Sequence, residues 1–301
     1  HDLWDYDLPA QPILIDWPAP NGDKVPALAQ LTKQGFTFVL DRRSGKPLFD
    51  VVEKPVPAST IPGEQSSSTQ PFPTRPPQLV NSTLRPEDAW GFTFWDRGKC
   101  RDQIAALNNQ GLYTPPSEQR TLLLPGSLGG ANWGGGAFDP ETGMLYLKTV
   151  GMAQVFRIQK RDPDAPTNRP GEVDAEYVNR GAPAFFGDGL PLIKPPYAHL
   201  VAIDLNKGTI AWREPFGDLP NVREQLETLG VTVPDRLGAQ GPAGLVATRG
   251  GLLFVGGGDR ALHAVDKTTG RELWSSPTLE TTGTPMTYEA GGRQFVVVAT
   301  G

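Results

Sequence analysis

The sequence predicts an all-β fold of repeated strand units, and three observations carry that reading. Glycine (35) and proline (31) make up about a fifth of the 301 residues while Trp (7), Phe (13) and Tyr (6) stay plentiful, so the chain is turn-rich yet able to fill a core. Strand-like stretches flanked by Gly or Asp outnumber helical ones. Above all, Val201-Ala-Ile-Asp204-Leu-Asn-Lys-Gly208-Thr-Ile-Ala-Trp212 recurs 62 residues later as His263-Ala-Val-Asp266-Lys-Thr-Thr-Gly270-Arg-Glu-Leu-Trp274. Each copy reads as a strand, a turn in which Asp caps free N–H groups and Gly takes a positive φ, and a second strand with an aromatic anchor. A unit of about 60 residues, mostly strand, cannot bury both faces alone and must stack on its neighbours. Radial stacking into a β-propeller is the natural closure.

Taken in order, strands are expected at 36–40, 144–149, 200–204, 251–255, 261–266 and 294–300. A looser copy of the repeat, Asp41-Arg-Arg-Ser-Gly45-Lys-Pro-Leu-Phe49, has Phe in place of Trp, and Asp139-Pro-Glu-Thr-Gly143 shares only the turn. Helical spacing of apolar residues appears at 102–109 and 222–229, the second opening after Asn221 and closing at Gly230. The Pro-rich tracts 55–77 and 163–195 cannot pair as central strands and read as long excursions over the surface. Phe49, Trp212 and Trp274 read as structural anchors.

Composition excludes several classes. A net charge of -5 and a pI near 5.3 lack the basic footprint of a nucleic-acid binder. No apolar run approaches the 18 or so residues of a helical membrane span. The single cysteine, Cys100, excludes an internal disulfide and any multi-Cys metal site, and reads as a small buried hydrophobe. His199 and His263 have no partner at metal-ligand spacing and read as packing or surface residues. There is no HExxH, GxxxxGK[ST] or GxSxG, and Asp162-Pro-Asp164 is spoiled as a calcium loop by prolines and by Val173 where Glu is needed. Asn81-Ser-Thr83 is an incidental sequon.

The Asp-x3-Gly-x3-Trp repeat resembles the tryptophan-docking motif of pyrroloquinoline quinone (PQQ) dehydrogenases, which are eight-bladed propellers. Three further segments carry the resemblance, in the family's order. They are His1-Asp-Leu-Trp-Asp5-Tyr-Asp7-Leu-Pro-Ala-Gln-Pro, similar to the active-site segment of glucose-type members; Pro62-Gly-Glu64 with Thr69-Gln-Pro-Phe-Pro-Thr-Arg-Pro-Pro77, similar to their cross-face loop; and Gly129-Gly-Ala-Asn132-Trp133-Gly-Gly, similar to their cofactor loop. It runs from Asp2 to Gly301, so residues 1–301 read as one partial propeller domain. In the family the active-site segment lies near mid-chain. The resemblance therefore implies that about three blades, with the Trp that stacks under PQQ and a Glu and an Asn metal ligand, would precede His1, and that a short closing strand would follow Gly301.

Oxidising an alcohol with a quinone needs a base for the hydroxyl proton, a cation at the quinone oxygens and a positioning scaffold. The resemblance gives Asp5 the base role with a metal contact. On a strand, Asp5 and Asp7 would share a face, suited to one cation, against the alternative of a solvated Asp-Tyr-Asp turn. Asp7 leaves the metal open among calcium, magnesium and a lanthanide. Lys33, 28 residues after Asp5, matches the cation at the reacting oxygens; read alone, a Lys at the start of a strand is a surface residue. Asn132 matches an amide contact to PQQ, and Trp133 a wall of the pocket. Near 238–248, where alcohol-oxidising members carry a cofactor-contacting Trp, the chain reads Gly-Ala-Gln-Gly-Pro-Ala-Gly-Leu-Val-Ala-Thr, a departure that argues against a methanol-type pocket.

The resemblance thus implies a periplasmic bacterial enzyme that oxidises a sugar, polyol or cyclic alcohol and passes electrons to ubiquinone or cytochrome c, with any membrane anchor in a preceding region. The rival class is a propeller scaffold that keeps the docking repeats without catalysis. The joint presence of Asp5, Lys33 and Asn132 distinguishes the two.

Overall fold

A computed structural model describes residues 2–19, 22–91, 93–161, 175–186, 189–241, 244–281 and 283–301, without the side chains at 94, 95 and 186. His1, residues 163–174 of the second Pro-rich tract, the excluded calcium loop at Asp162, Asp164 and Val173, and Pro242 and Ala243 lie outside the described residues.

Strands β1 (Ile13–Pro18), β2 (Lys24–Leu31) and β3 (Thr37–Asp41) form an antiparallel sheet in that order. The hairpin of β4 (Val51–Pro55) and β5 (Thr69–Pro73) follows, then helix α1 (Phe94–Ala105). Next come β6 (Thr121–Leu123), β7 (Gly136–Asp139), β8 (Met144–Val150), β9 (Gln154–Lys160), β10 (Tyr177–Pro183), the two-residue β11 (Phe185–Phe186) and β12 (Leu190–Pro191), β13 (Ala198–Asp204) and β14 (Thr209–Pro215). Helix α2 (Pro220–Thr228) leads to β15 (Leu245–Ala247), β16 (Leu252–Gly256), β17 (Ala261–Asp266), β18 (Glu272–Pro277) and the hairpin β19 (Met286–Ala290) and β20 (Arg293–Val297).

Two four-stranded meanders, β7-β8-β13-β14 and β15-β16-β17-β18, are the repeat units, and β1-β2-β3 is a third sheet of the same kind. The innermost strands touch in succession, β1 to β7 and β7 to β15, which is the radial arrangement of a propeller. The middle blade shows why its strands are apolar throughout. Leu145, Leu147, Val201 and Ile203 face the first blade, packing with Ile15, Ala27 and Leu31. Tyr146, Leu200 and Ala202, on alternate positions, face the third, packing with Leu245, Leu253 and Val255. A strand buried on both sides cannot show a polar alternation.

The docking repeat behaves as the sequence predicts. In each turn the glycine N–H donates to the Asp carbonyl, Gly208 to Asp204 at 2.7 Å and Gly270 to Asp266 at 2.9 Å, while the Asp carboxylate accepts from the turn amides of Asn206, or of Thr268 and Thr269. Gly208 and Gly270 have φ of 67° and 75°. The Phe49 ring lies over Gly208, and the Trp212 ring lies over Gly270 while its indole N–H donates to the Lys267 carbonyl at 3.1 Å. Each anchor therefore docks on the turn of the following blade. Trp274, expected to be a structural anchor like Trp212, is instead 50% exposed.

Some expectations are corrected. α1 begins eight residues before the predicted 102, because Thr93 caps it by accepting from the Asp96 N–H. α2 begins at Pro220 rather than after Asn221, proline being suited to the first helical turn, and ends before Gly230 at φ 69° as predicted. The Pro-rich tracts are not wholly excursions. β5 pairs with β4, and β10 with β9, both at sheet edges where a missing N–H costs no central ladder bond. Cys100 is buried as expected.

Trp212→Ala is expected to lower stability by about 3 kcal/mol, the usual scale for truncating a packed aromatic. Trp274→Ala in the same chain should stay within about 0.5 kcal/mol, as surface substitutions do. Urea titration of both variants checks the contrast; equal losses would refute ring-over-glycine docking as the source of the difference.

Candidate active site

The segment before β1 is not a strand, contrary to the expectation that Asp5 and Asp7 share a strand face. Asp5 has φ of 60°, a left-handed conformation costing a non-glycine residue about 1–3 kcal/mol unless its surroundings impose it. The surroundings are aromatic. Trp4 and Tyr6 are buried, the Trp4 indole N–H donating to the Thr114 carbonyl at 3.0 Å and the Tyr6 hydroxyl to the Pro125 carbonyl at 2.7 Å. Both rings pack on Tyr113. Inward Trp4 and Tyr6 leave Asp5 and Asp7 facing outward, 60% and 52% exposed at their side chains.

Lys33 meets them from beneath. It sits in the tight turn between β2 and β3, closed by the Gly35 N–H donating to the Thr32 carbonyl at 3.0 Å, rather than at the start of a strand. Its side chain is only 7% exposed. The ammonium donates to the Asp7 carboxylate at 2.5 Å and to the Asp5 carbonyl at 3.0 Å, with the Asp5 carboxylate at 3.4 Å. A lone buried ammonium is costly; here two carboxylates offset that cost and are themselves held in place.

The glycine-rich loop is laced to the same turn. The Gly130 N–H donates to the Lys33 carbonyl and the Ala131 N–H to the Thr32 carbonyl, while the Gly130 carbonyl accepts from the Val150 N–H at 2.9 Å. A Cβ at Gly129 would fall 2.6 Å from the Lys33 Cβ, so that glycine is needed for close approach. Asn132 lies beyond it, and its side chain is committed to the loop: the amide NH2 donates to the Leu128 carbonyl and the amide oxygen accepts from the Trp133 N–H, both at 2.8 Å. The Trp133 side chain is 73% exposed and stands off the loop. The structure thus brings Asp5, Asp7, Lys33 and the Asn132 loop together.

Sequence reasoning missed a second buried lysine, Lys148 on β8, and a charged chain behind it. His263 is buried as expected, edge-on to Phe216, but it also bridges two carboxylates: Nδ1 to Glu272 at 2.7 Å and Nε2 to Asp259 at 3.1 Å, with Arg236 on Glu272 at 2.9 Å. Burial disfavours the imidazolium, yet the two carboxylates outweigh it and raise the His263 pKa above its ordinary value. His199 goes the other way. Burial, with the Arg213 guanidinium beside it, lowers its pKa to about 4.

Propeller blades docked ring-over-glycine, with a buried cation under two outward carboxylates beside a glycine-rich loop, define the tryptophan-docking class of propeller. Residues 1–296 match the PQQ family described as glucose/ethanol/alcohol dehydrogenase, beta-propeller domain, and the chain belongs to that family. It is 36% identical to the quinate/shikimate dehydrogenase (quinone) of Acinetobacter baylyi and 37% identical to quinoprotein glucose dehydrogenase A of Acinetobacter calcoaceticus. All of this chain aligns in both cases, with 39% of each relative. The glycerol dehydrogenase large subunit of Gluconobacter thailandicus is 37% identical over all of the chain and 44% of its own length. The chain therefore spans about two fifths of the curated relatives it matches. Among solved structures, a europium-containing methanol dehydrogenase superposes with a TM-score of 0.59 at 22% identity, covering all of this chain and 40% of that one, a likeness of fold.

The residues present fit a planar anionic quinone in part: a buried ammonium at the rim beside a glycine-rich loop that, at Gly135, has open space where a Cβ would stand. They do not complete a metal site. Calcium takes six to eight oxygens, and among the described residues no group of three or more His, Cys, Asp or Glu is placed to hold an ion.

His199 sets an acid-side expectation. Its pKa lies below the ordinary 6.5, so the unfolded chain binds a proton that the folded chain refuses between pH 6.5 and about 4. Stability attributable to this residue is present above pH 6.5 and falls as pH drops through that window. His199→Gln should flatten the fall in a chemical-denaturation series from pH 7 to pH 4; an unchanged slope would contradict it.

Proposed function

We propose that the complete enzyme oxidises a hydroxyl of a sugar, polyol or cyclic alcohol, with PQQ as oxidant. The observation that carries this reading is the buried Lys33 ammonium held between Asp5 and Asp7 against the Asn132 loop. A scaffold propeller has no use for such an arrangement. Support from relatives is consistent, since those named above are dehydrogenases of quinate, glucose and glycerol.

PQQ, when bound, supplies the electrophilic carbonyl that accepts the hydride. Asp5 takes the substrate's hydroxyl proton, its outward, solvent-reachable carboxylate being accessible to a ligand on the rim. Lys33 orients that carboxylate from below, and its fixed positive charge would stabilise negative charge on a bound quinone. Asp7 shares the ammonium and keeps it from turning wholly toward Asp5. Asn132 shapes the loop that borders the ligand, and Trp133 offers an exposed ring to the wall. Asp5 and Asp7 would give two carboxylates to a calcium, magnesium or lanthanide ion, and no step above relies on it. Periplasmic placement and transfer of electrons to ubiquinone or cytochrome c complete the proposal.

Asp5→Asn in the complete enzyme removes the base while nearly preserving size. It should retain PQQ, followed by quinone absorbance, and lose about two to four orders of magnitude in dye reduction. Turnover within tenfold of the parent would overturn the assignment.

A further inference from the structure

Lys148 sits on the face of β8 that packs against the third blade, where its neighbour two residues back, Tyr146, and the facing Leu253 and Val255 are apolar. It is 6% exposed. Among the described residues its ammonium has no carboxylate in direct contact; it donates to the Gly241 carbonyl at 2.6 Å and the Gly257 carbonyl at 2.7 Å, with the Phe216 ring centroid 6.0 Å away. The charged groups acting on it are Asp259, which is tied to His263 and through it to Glu272 and Arg236, and Glu280. Burial nevertheless dominates and lowers the Lys148 pKa to about 7.

Its other side borders the candidate site. Lys148 lines a narrow crevice of about 10 Å³, room for about one water, together with Gly130, Asn132, Gly134, Gly135 and Gly241. Two backbone carbonyls take two of the ammonium's three N–H donors, and the nearest full negative charges, on Asp259 and Glu280, act on it only at a distance, beneath the Asn132 loop. A methionine of similar length would fold there without that cost. A buried cation whose carboxylates stand off from it attracts an anion placed on the adjoining rim.

Resting on the function proposed above, we infer that Lys148 is a second buried cation of the quinone pocket, a positioning residue that draws the anionic cofactor onto the Asn132 loop and pins the Gly241 and Gly257 loops behind it. PQQ is a tricarboxylate whose carboxylates stay ionised through neutral pH, so a pH dependence of the attraction comes from the protein, with Lys148 the group next to the loop and His263 the imidazole behind it. Below pH 7 the charge is present and binding is tight; above it the charge is lost and binding weakens.

The test is PQQ binding to the complete apo-enzyme, read by quenching of tryptophan fluorescence at saturating calcium from pH 6 to pH 8.5. The parent should show a Kd rising at least fivefold across this range. Lys148→Met should bind about tenfold more weakly than the parent at pH 6 and lose the pH dependence, while His263→Gln should keep it and so exclude titration of the imidazole as its source. A parent Kd that stays flat overturns the inference whether or not Lys148→Met folds. Retention of the full pH dependence in a folded Lys148→Met overturns it as well. Absence of PQQ binding at every pH would instead defeat the proposed function, and this inference with it.

Discussion

Contact between blades in this chain turns on an aromatic ring lying over a glycine. Gly208 and Gly270 meet two demands at once: each takes a left-handed φ to close its turn, and each lacks the Cβ that would stand 3.0 Å from the Phe49 ring or 2.7 Å from the Trp212 ring. The first demand is local and the second belongs to the neighbouring blade. One residue type thereby couples the shape of a hairpin to the angle between sheets. Because Asp204 pairs with Met144 and Leu200 with Lys148, the docking turns lie at one end of the strands and the two buried lysines toward the other. Rigid docking at one end fixes where chemistry is presented at the other.

This division explains what the sequence made legible. Docking needs the same three residues at the same spacing in every blade, so the repeat was visible at Asp204, Gly208 and Trp212 and again 62 residues on. The constellation of Asp5, Asp7, Lys33 and Asn132 was legible only through its likeness to a family pattern. Nothing in spacing alone tells that Lys33 lies beneath Asp5, since the contact depends on a β2–β3 turn reaching a segment 28 residues earlier. Even there the local geometry differed. On a strand Asp5 and Asp7 would share a face; here burial of two large rings against Tyr113 turns both carboxylates outward through an irregular backbone instead.

What stayed hidden is the set of charges buried between blades. Lys148 occupies a strand position where alternation predicts an apolar residue, and its partners are backbone carbonyls, which carry no sequence signal. His263 lies inside the docking repeat itself, at a position occupied in the other copy by Val201, and its carboxylate partners are four and nine residues away. Period-two patterning reports burial but not whether a buried polar group has been satisfied, and only the three-dimensional contacts supply that.

The two buried lysines also differ in what they leave over. Lys33 is answered by two carboxylates, so its immediate surroundings carry net negative charge when both are ionised. Lys148 is answered by carbonyl dipoles, with Asp259 and Glu280 acting only at longer range. An anionic ligand approaching Lys33 alone would meet repulsion from Asp5 and Asp7 as well as attraction from the ammonium. A cation on the far side of the Asn132 loop tilts that balance without touching the reacting atoms. The potential that holds an anion and the ammonium that orients the base can then be tuned separately. On the proposed function, that separation would leave Asp5 exposed and available for a hydroxyl proton while binding strength is set from the neighbouring blade.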